Sequence, residues 1–159
     1  MITIEEQVGR LLHEKRLTLG TVESATGGLI AHRITNISGS SEYFKGSIVA
    51  YSNEIKIKVV GVKPETINNS GAVCADTAEE MAEVGRKLLN VDICVADTGI
   101  AGPSGASPGK PVGLFYLGLA HRGGNFSRKR LFIGTREQNK QGAAEAALTW
   151  VKEYLESLK

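Results

Sequence analysis

The sequence has few of the features that mark secreted, membrane-bound or disordered proteins. Its only cysteines, Cys74 and Cys94, are too few and too far apart for a disulfide framework or a paired metal site, so we expect small core residues in a reducing compartment. The longest uncharged apolar stretch, residues 113–120, is far shorter than the roughly 20 residues that span a bilayer. Residues 1–10 lack the basic segment and apolar run of a secretory signal. These absences predict a soluble, cytoplasmic protein with no membrane partner.

A surplus of charge of one sign is also absent. The chain has 19 lysines and arginines against 17 aspartates and glutamates, a formal net charge of +2. This is too small for the basic footprint of a nucleic-acid-binding surface, although a small anionic ligand is compatible with it. The one basic run, residues 128–130, falls on a predicted edge strand, where charge commonly prevents aggregation. We therefore expect no nucleic-acid partner.

The motifs of several common enzyme classes are missing as well. His13, His32 and His121 fall in three different predicted elements without the spacing of a zinc site, and they give no support to a Ser-His-Asp triad. No GxxxxGK[ST] motif occurs, which disfavours hydrolysis of nucleoside triphosphates. The sequence thus gives no support to a zinc site, a Ser-His-Asp triad or a phosphate-binding P-loop.

What the chain does have is glycine and a normal hydrophobic content. Glycine makes up 19 of the 159 residues, about 12% against a usual share of about 7%, so its clusters indicate where a backbone can approach a ligand. A hydrophobic fraction of 42% over this length is typical of one globular domain, and we assign residues 1–159 to a single domain.

Hydrophobic periodicity predicts an α/β protein: a three-layer α/β/α sandwich over a mixed sheet of about five strands. Thr3 with Glu6 and Asp76 with Glu79 have the pattern of capping boxes, and Asn53 has that of an N-cap. We expect residues 46–52 to form a buried strand, residues 64–73 to be irregular and the last two strands to pair as a hairpin. The predicted helices cover residues 3–16, 29–35, 53–60, 76–89 and 136–158, and the predicted strands cover residues 17–22, 46–52, 91–97, 113–120 and 126–133.

The first candidate site is the turn that begins at Ser24. It follows a predicted strand and continues as Thr26-Gly27-Gly28 into a predicted helix, the place where α/β proteins usually bind ligands. Backbone amides at a helix start can hold a phosphate or an oxyanion, and glycines let a ligand approach. The alternative interpretation is that Ser24 or Thr26 only caps the helix.

The second candidate is the segment that contains Tyr51 and Lys56. The tyrosine falls at a predicted strand end, and the lysine falls in the first turn of the next helix, where the helix dipole disfavours a cation. A lysine in that position can have a lowered pKa and act as a general base. A solvated lysine is the alternative, and Lys58, about 200° further around the helix, is the one we assign to solvent.

The third candidate is a long loop at residues 98–112, which contains four glycines and three prolines. Loops of this length in compact domains are commonly functional, although a mere connection is the alternative. Arg136 follows at the start of the last predicted helix, where it can bind a phosphate with two hydrogen bonds or lie free on the surface.

Four motifs occur in one order: ESATGG at residues 23–28, YSNEIK at 51–56, TGIAGPSGASPGKPVG at 98–113 and GTRE at 134–137. Together they resemble the C-terminal domain of the competence-damage-inducible protein CinA, a family that includes nicotinamide-mononucleotide deamidases. The resemblance extends over nearly the whole chain and implies a stand-alone α/β/α domain. The family's first motif usually reads ESCTGG, so Ala25 stands where a cysteine is usual.

The resemblance implies hydrolysis of the carboxamide of nicotinamide mononucleotide to nicotinate mononucleotide and ammonia, a step of pyridine nucleotide salvage. It implies that Ser24 is the nucleophile, that Lys56 activates it, and that Tyr51 assists proton transfer or orients the lysine. No metal or organic cofactor is implied.

The resemblance also assigns Ser41, Thr98 and Arg136 to the active site or its substrate contacts. We assign substrate binding to these three residues together with Thr26, Gly27 and Gly28.

Two other functions remain open from the residues themselves. One is a non-catalytic domain that binds a pyridine nucleotide or another small phosphate and signals through a partner. The other is a serine-lysine amidase for a different small amide. The apolar stripe of the last helix can pack internally or against another subunit, so a homo-oligomer also remains open.

Overall fold

The computed structural model describes residues 1–159 and has five strands in a single mixed sheet, in the order β2-β1-β3-β4-β5. The three strands β2, β1 and β3 are parallel, whereas β4 is antiparallel to both of its neighbours. The strands are β1 (Leu19–Glu23), β2 (Phe44–Val49), β3 (Ile93–Gly99), β4 (Leu114–His121) and β5 (Gly124–Leu131). The helices are α1 (Ile4–Lys15), α2 (Leu29–Thr35), α3 (Asn53–Ile55), α4 (Pro64–Ser70), α5 (Ala75–Leu89) and α6 (Arg136–Ser157).

Helices cover both faces of the sheet, which confirms the predicted three-layer α/β/α architecture. On one face α1, α2 and α6 bury a core against side chains such as Leu19, Val95 and Leu119. On the other face α5 packs Met81 and Ala82 against the opposite side of the same strands. None of the helices combines the length and the apolar character that a membrane crossing requires.

Local signals predicted several elements well because short-range interactions determine them. Thr3 and Glu6 form the predicted capping box of α1, and the bounds of α2 are those predicted. The hairpin of β4 and β5 is antiparallel as predicted. The apolar stripe of α6 is buried against the sheet, with Leu148 and Leu155 fully enclosed.

Several predictions need correction. The strand predicted at residues 46–52 is β2, which lies at the edge of the sheet and is only half-buried, because β1 alone pairs with it. Residues 64–73 are not irregular throughout, since Pro64 provides the fixed φ that suits the first position of α4.

Cys74 caps α5 through its sulfur, which accepts from the N–H of Thr77, so the predicted capping box at residue 76 does not form. Cys94 is buried as expected, whereas Cys74 is only partly buried.

A further correction concerns the helix predicted at residues 53–60. Ser52, not Asn53, caps it, with its hydroxyl accepting from the N–H of Ile55 at 3.1 Å. After one α-helical turn the chain continues as a π-helix from Lys56 to Val60. The carbonyl of Lys56 accepts from both Gly61 and Val62, at 3.0 and 2.9 Å, and closes this wider turn. Single π-helical turns often occur at functional sites.

Candidate active site

A cavity of about 260 Å³ lies at the carboxyl ends of β1, β2 and β3, beside the start of α6. This is the end of a parallel sheet at which α/β proteins bind ligands. Five of the predicted site residues line it: Ser24, Tyr51, Lys56, Thr98 and Arg136.

The side chain of Glu23, which is fully buried, holds in place the turn that carries Ser24. The carboxylate accepts hydrogen bonds from the backbone N–H groups of Gly28, Ile30 and Ala31 at 2.8–3.2 Å. A carboxylate at a helix N-terminus satisfies donors that would otherwise have no partner and interacts favourably with the helix dipole. Glu23 therefore serves as the cap of α2, the role that the sequence offered to Ser24 or Thr26.

Asp97 fixes the same turn from β3. Its carboxylate accepts from the backbone N–H groups of Ser24 and Thr26, both at 3.1 Å, and it also contacts the Thr26 hydroxyl. Burial raises the pKa of Asp97 to about 6, and the negative charge of Glu23 acts in the same direction. The Ser24 turn thus depends on two buried carboxyl groups, one on each neighbouring strand.

The hydroxyl of Ser24 has no hydrogen-bond partner within the chain, although the residue is only 6% exposed. It faces the cavity with both its proton and its lone pairs free. A serine in this arrangement is available to a substrate, which distinguishes it from a capping serine.

The amides of the turn differ sharply in their availability. The N–H groups of Thr26, Gly27 and Gly28 are bonded to Asp97, to the Ser24 carbonyl and to Glu23, respectively. These three residues, predicted to contact substrate, do not line the cavity; they build the turn instead. The N–H of Ala25 has no acceptor, and Ala25 does line the cavity.

Lys56 is one of the most enclosed side chains in the protein, at 2% exposure. Its Nζ donates to the backbone carbonyl of Tyr51 at 3.2 Å, and no carboxylate lies within ion-pairing distance. Burial lowers the pKa of Lys56, while the charge of Asp97 opposes this effect. Nζ forms no hydrogen bond to Ser24 in this structure, although both residues line the same cavity. Lys58 points to solvent, as predicted, and pairs with Glu54.

The rim of the cavity is closed by Arg136. Its guanidinium donates to the hydroxyl of Tyr51 and to the carbonyl of Gly102, each at 2.9 Å. Thr98 lies deeper and donates its hydroxyl to the carbonyl of Ala72 at 2.7 Å. The long loop, residues 100–113 in the structure, lines one wall with Ala101 and its neighbours. The loop that was predicted to be functional therefore lines the cavity.

Ser41 is the predicted site residue that the structure does not bring to the cavity. It is exposed in a short 3-10 turn, Ser40–Glu42, that precedes β2. Because β2 runs parallel to β1, this turn lies at the amino ends of the strands, and the cavity lies at their carboxyl ends. A contact between Ser41 and a ligand in this cavity would have to cross the length of the sheet.

Sequence reasoning missed Glu23, Asp97 and Asn53, of which Asn53 lines the cavity. Glu23 and Asp97 end two buried apolar strands, and a carboxylate in such a position needs a specific partner. That signal was present in the sequence. No three of the His, Cys, Asp and Glu side chains lie close enough together to hold a metal ion.

A sequence model of the family described as the CinA C-terminal domain matches residues 1–155. The chain therefore belongs to the CinA C-terminal domain family, and the resemblance stated from the four motifs is confirmed. It is 49% identical over 160 residues to a CinA-like protein of Chlorobium phaeobacteroides, an alignment that covers 98% of this chain and 38% of that protein. The chain spans a little over a third of the length of the curated relatives that it matches.

Solved structures agree with this assignment. The competence/damage inducible protein CihA of Agrobacterium tumefaciens is 36% identical and superposes with a TM-score of 0.90, covering 97% of this chain and 96% of that one. The competence damage-inducible protein A of Klebsiella pneumoniae is 29% identical with a TM-score of 0.95, covering 98% and 97% of the two chains.

Proposed function

We propose that this domain hydrolyses the carboxamide of nicotinamide mononucleotide, giving nicotinate mononucleotide and ammonia through an acyl-enzyme on Ser24. The observation that carries the proposal is the pairing, in one cavity, of an unpartnered serine hydroxyl with a buried lysine that lacks a carboxylate partner. Few structural roles require either group, and together they are the components of a serine-lysine hydrolase.

The chemistry follows from the two groups. Neutral Lys56 takes the proton of the Ser24 hydroxyl as Oγ bonds to the carboxamide carbon. The resulting lysine ammonium then gives that proton to the nitrogen as the C–N bond breaks and ammonia leaves. Water, deprotonated by Lys56, attacks the ester, releases the carboxylate product and restores the serine. Hydrogen bonds of this kind are often long before substrate binds, so a movement of Nζ from the Tyr51 carbonyl toward Ser24 is part of the proposal.

The oxyanion that forms on the carboxamide needs a hydrogen-bond donor. Within the turn that donor is the N–H of Ala25, because the amides from Thr26 to Gly28 are already bonded. The amide that follows a nucleophile commonly has this role in hydrolases with a sharp strand-to-helix turn. One such donor is worth about 3 kcal/mol in the transition state.

The charge of the cavity supports an anionic substrate. None of its lining residues is an aspartate or glutamate, whereas Arg136 carries a positive charge. Arg136 lies at the exposed rim, and we expect the phosphate of a nucleotide whose amide lies at Ser24 to extend toward it. Guanidinium groups bind phosphate with paired hydrogen bonds, so we assign phosphate contact to Arg136.

The decisive experiment measures ammonia release from nicotinamide mononucleotide by the purified protein beside the variants Ser24→Ala and Lys56→Ala. We expect turnover by the wild type and a loss of about a thousandfold or more in both variants, since members of one catalytic unit fail together. Lys58→Ala is the matched control and should leave the rate unchanged, because this lysine faces solvent two positions away.

Other outcomes would identify a different function. Loss of activity in Lys56→Ala alone would remove Ser24 as the nucleophile. No ammonia release, with calorimetry showing that the nucleotide binds, would make the domain a binding module. Faster turnover of nicotinamide, glutamine or NAD in a parallel panel would make it an amidase for another substrate.

A further inference from the structure

Glu23 and Asp97 meet at one hydroxyl group. Thr26 Oγ1 lies 2.8 Å from Oε1 of Glu23 and is also in hydrogen-bonding contact with Oδ1 of Asp97. All three side chains are buried, with exposures of 1% or less. A hydroxyl has a single hydrogen and can donate it to only one of two carboxylates. If both acids were ionised, one of these two contacts would bring two oxygen atoms together without a hydrogen between them.

The remaining hydrogen bonds indicate which acid takes up the missing proton. Glu23 accepts from three backbone N–H groups at the start of α2, and its Oε2 also accepts from one of two hydroxyls, those of Thr21 at 3.0 Å and Ser47 at 3.3 Å, which are themselves joined at 2.6 Å. Asp97 accepts from two backbone N–H groups and is completely enclosed. A charge on Glu23 is therefore better stabilised than a charge on Asp97. The proton belongs on Asp97, which can then donate to Thr26 while Thr26 donates to Glu23.

The charged groups around Asp97 come from few elements. Glu23 faces it from β1, and Lys56 faces it from the segment after β2. On β4 its partner is the apolar Leu117. The last helix brings Arg136 and Lys140 to this end of the sheet, where Arg136 is bonded at the rim and Nζ of Lys140 lies outside the turn near Gly27. Lys56 is thus the buried cation that responds to the charge of Asp97.

We propose that Glu23, Thr26 and Asp97 form a proton-sharing unit beneath the Ser24 turn, in which Asp97 exchanges one proton and its charge state controls how readily Lys56 gives up a proton. Asp97 is enclosed and does not line the cavity, so it acts as a positioning residue. When protonated, it holds the turn without attracting a proton to Lys56. When ionised, it favours the charged lysine and opposes its action as a base.

The pKa of Asp97, raised by burial to about 6, supports this assignment, since an ordinary aspartate has a pKa of about 3.9. As the pH falls through about 6, Asp97 takes a proton from solvent and its charge disappears. The catalytic consequence rests on the proposed function of Lys56, whereas the shared proton does not.

The test therefore begins with titrations that need no turnover. In protein with ¹³C-labelled aspartate, the Cγ resonance of Asp97 should titrate near pH 6. A carboxyl that stays ionised down to about pH 4.5 would overturn the proposal. This measurement is made on the wild-type protein, so it does not depend on a variant that must fold.

The second measurement follows Cε of Lys56 in ¹³C-labelled protein. Asp97→Asn keeps the shape of the side chain and removes its charge, although its amide nitrogen replaces one oxygen that accepts from a backbone N–H, so the Lys56 midpoint should fall by about one pH unit or more. Asp92→Asn is the matched control, because Asp92 precedes the same strand at its opposite, exposed end. An unchanged or raised Lys56 midpoint in Asp97→Asn would overturn the proposal.

Activity provides the last readout. The acidic limb of the kcat/KM profile should shift to lower pH in Asp97→Asn by the same amount as the Lys56 midpoint. A merely structural aspartate would lower the rate at every pH without shifting the limb. Wild-type protein that shows both titrations but releases no ammonia would contradict the proposed function and leave the proton-sharing unit established.

Discussion

The guanidinium of Arg136 and the phenol hydroxyl of Tyr51 are joined by a hydrogen bond of 2.9 Å across the mouth of the cavity. The two residues are 85 positions apart in the chain. Both are exposed, so the contact is not needed to fill the core, and its geometric effect is to hold the arginine over the opening.

Replacing Arg136 by alanine should mainly impair substrate binding. We expect KM for nicotinamide mononucleotide to rise about 10- to 100-fold, because a hydrogen bond to a charged group contributes about 1.5–3 kcal/mol. Tyr51→Phe removes only the partner hydroxyl and should raise KM by no more than about threefold. Steady-state kinetics checks both, with the exposed Arg10→Ala as control. An unchanged KM in Arg136→Ala would remove its phosphate contact.

The rate should depend on pH through Lys56. The base form is the neutral amine, so kcat/KM should rise with pH, with a midpoint below the ordinary lysine value of about 10.4 because burial lowers its pKa. A profile from pH 5 to 10 measures this midpoint, and Lys58→Ala should leave it in place. A rate that falls with pH over this range would exclude a lysine base.

The buried amine of Lys56 should also destabilise the folded protein. The unfolded chain keeps this amine protonated up to about pH 10.4, whereas the folded chain releases the proton at lower pH, so stability increases with pH between the two pKa values. Lys56→Met should therefore be more stable at pH 7 by about 1 kcal/mol, a gain of about 2–4 °C in Tm. The gain should shrink as the pH approaches 10. A lower Tm, or a gain that does not depend on pH, would contradict this account.

Glu23→Ala should lower the stability of the protein, whereas Lys56→Met should raise it. Glu23→Ala leaves the N–H groups of Gly28, Ile30 and Ala31, which are buried or partly buried, without acceptors, and we expect a loss of about 3 kcal/mol or more in the free energy of unfolding. Urea denaturation measures the loss, and Glu65→Ala on the exposed face of α4 is the control. Hydrogen exchange should locate the damage in α2. Wild-type stability in Glu23→Ala would mean that the cap is dispensable.

Ala25→Cys, which restores the residue usual in the family, should change activity and stability little. The methyl group of Ala25 packs with Ala101, Phe115 and Ala143, while its backbone N–H is the group available to the cavity. We expect kcat/KM within about threefold of the wild type and a stability change below about 1.5 kcal/mol. A gain of tenfold or more would show that the thiol takes part in the reaction.

The sequence predicted those features that depend on local chemistry. The capping box at Thr3 and the apolar stripe of α6 are encoded within a few turns of chain, and both are present. The edge position of β2 was not predictable in the same way, because its apolar residues suit a central strand and only the strand order exposes them. The π-helix that follows Ile55 was not predictable either, because it depends on the carbonyl of Lys56 accepting from two N–H groups at the end of the helix.

The sequence indicated the reactive residues of the site but not the residues that hold them in place. Ser24 and Lys56 are reactive types at the ends of elements, which is why the sequence indicated them, and both line the cavity. Asp97 was counted only as the last residue of a predicted strand, although its link to Ser24 spans 73 positions. Gly27 and Gly28 were assigned to ligand binding because their amides were assumed free, and the side chain that occupies the Gly28 amide is Glu23.

The parallel order of β2, β1 and β3 has a consequence for how the cavity forms during folding. Parallel neighbours cannot be joined by a tight hairpin, so each pairing must wait until a long stretch of chain has closed. The cavity needs the ends of all three strands, and its rim needs Arg136, which follows the last strand. No early hairpin or isolated helix contains even a partial site. In a refolding experiment, ligand binding should return only with the slowest structural phase, and a fragment that ends before Arg136 will lack the rim.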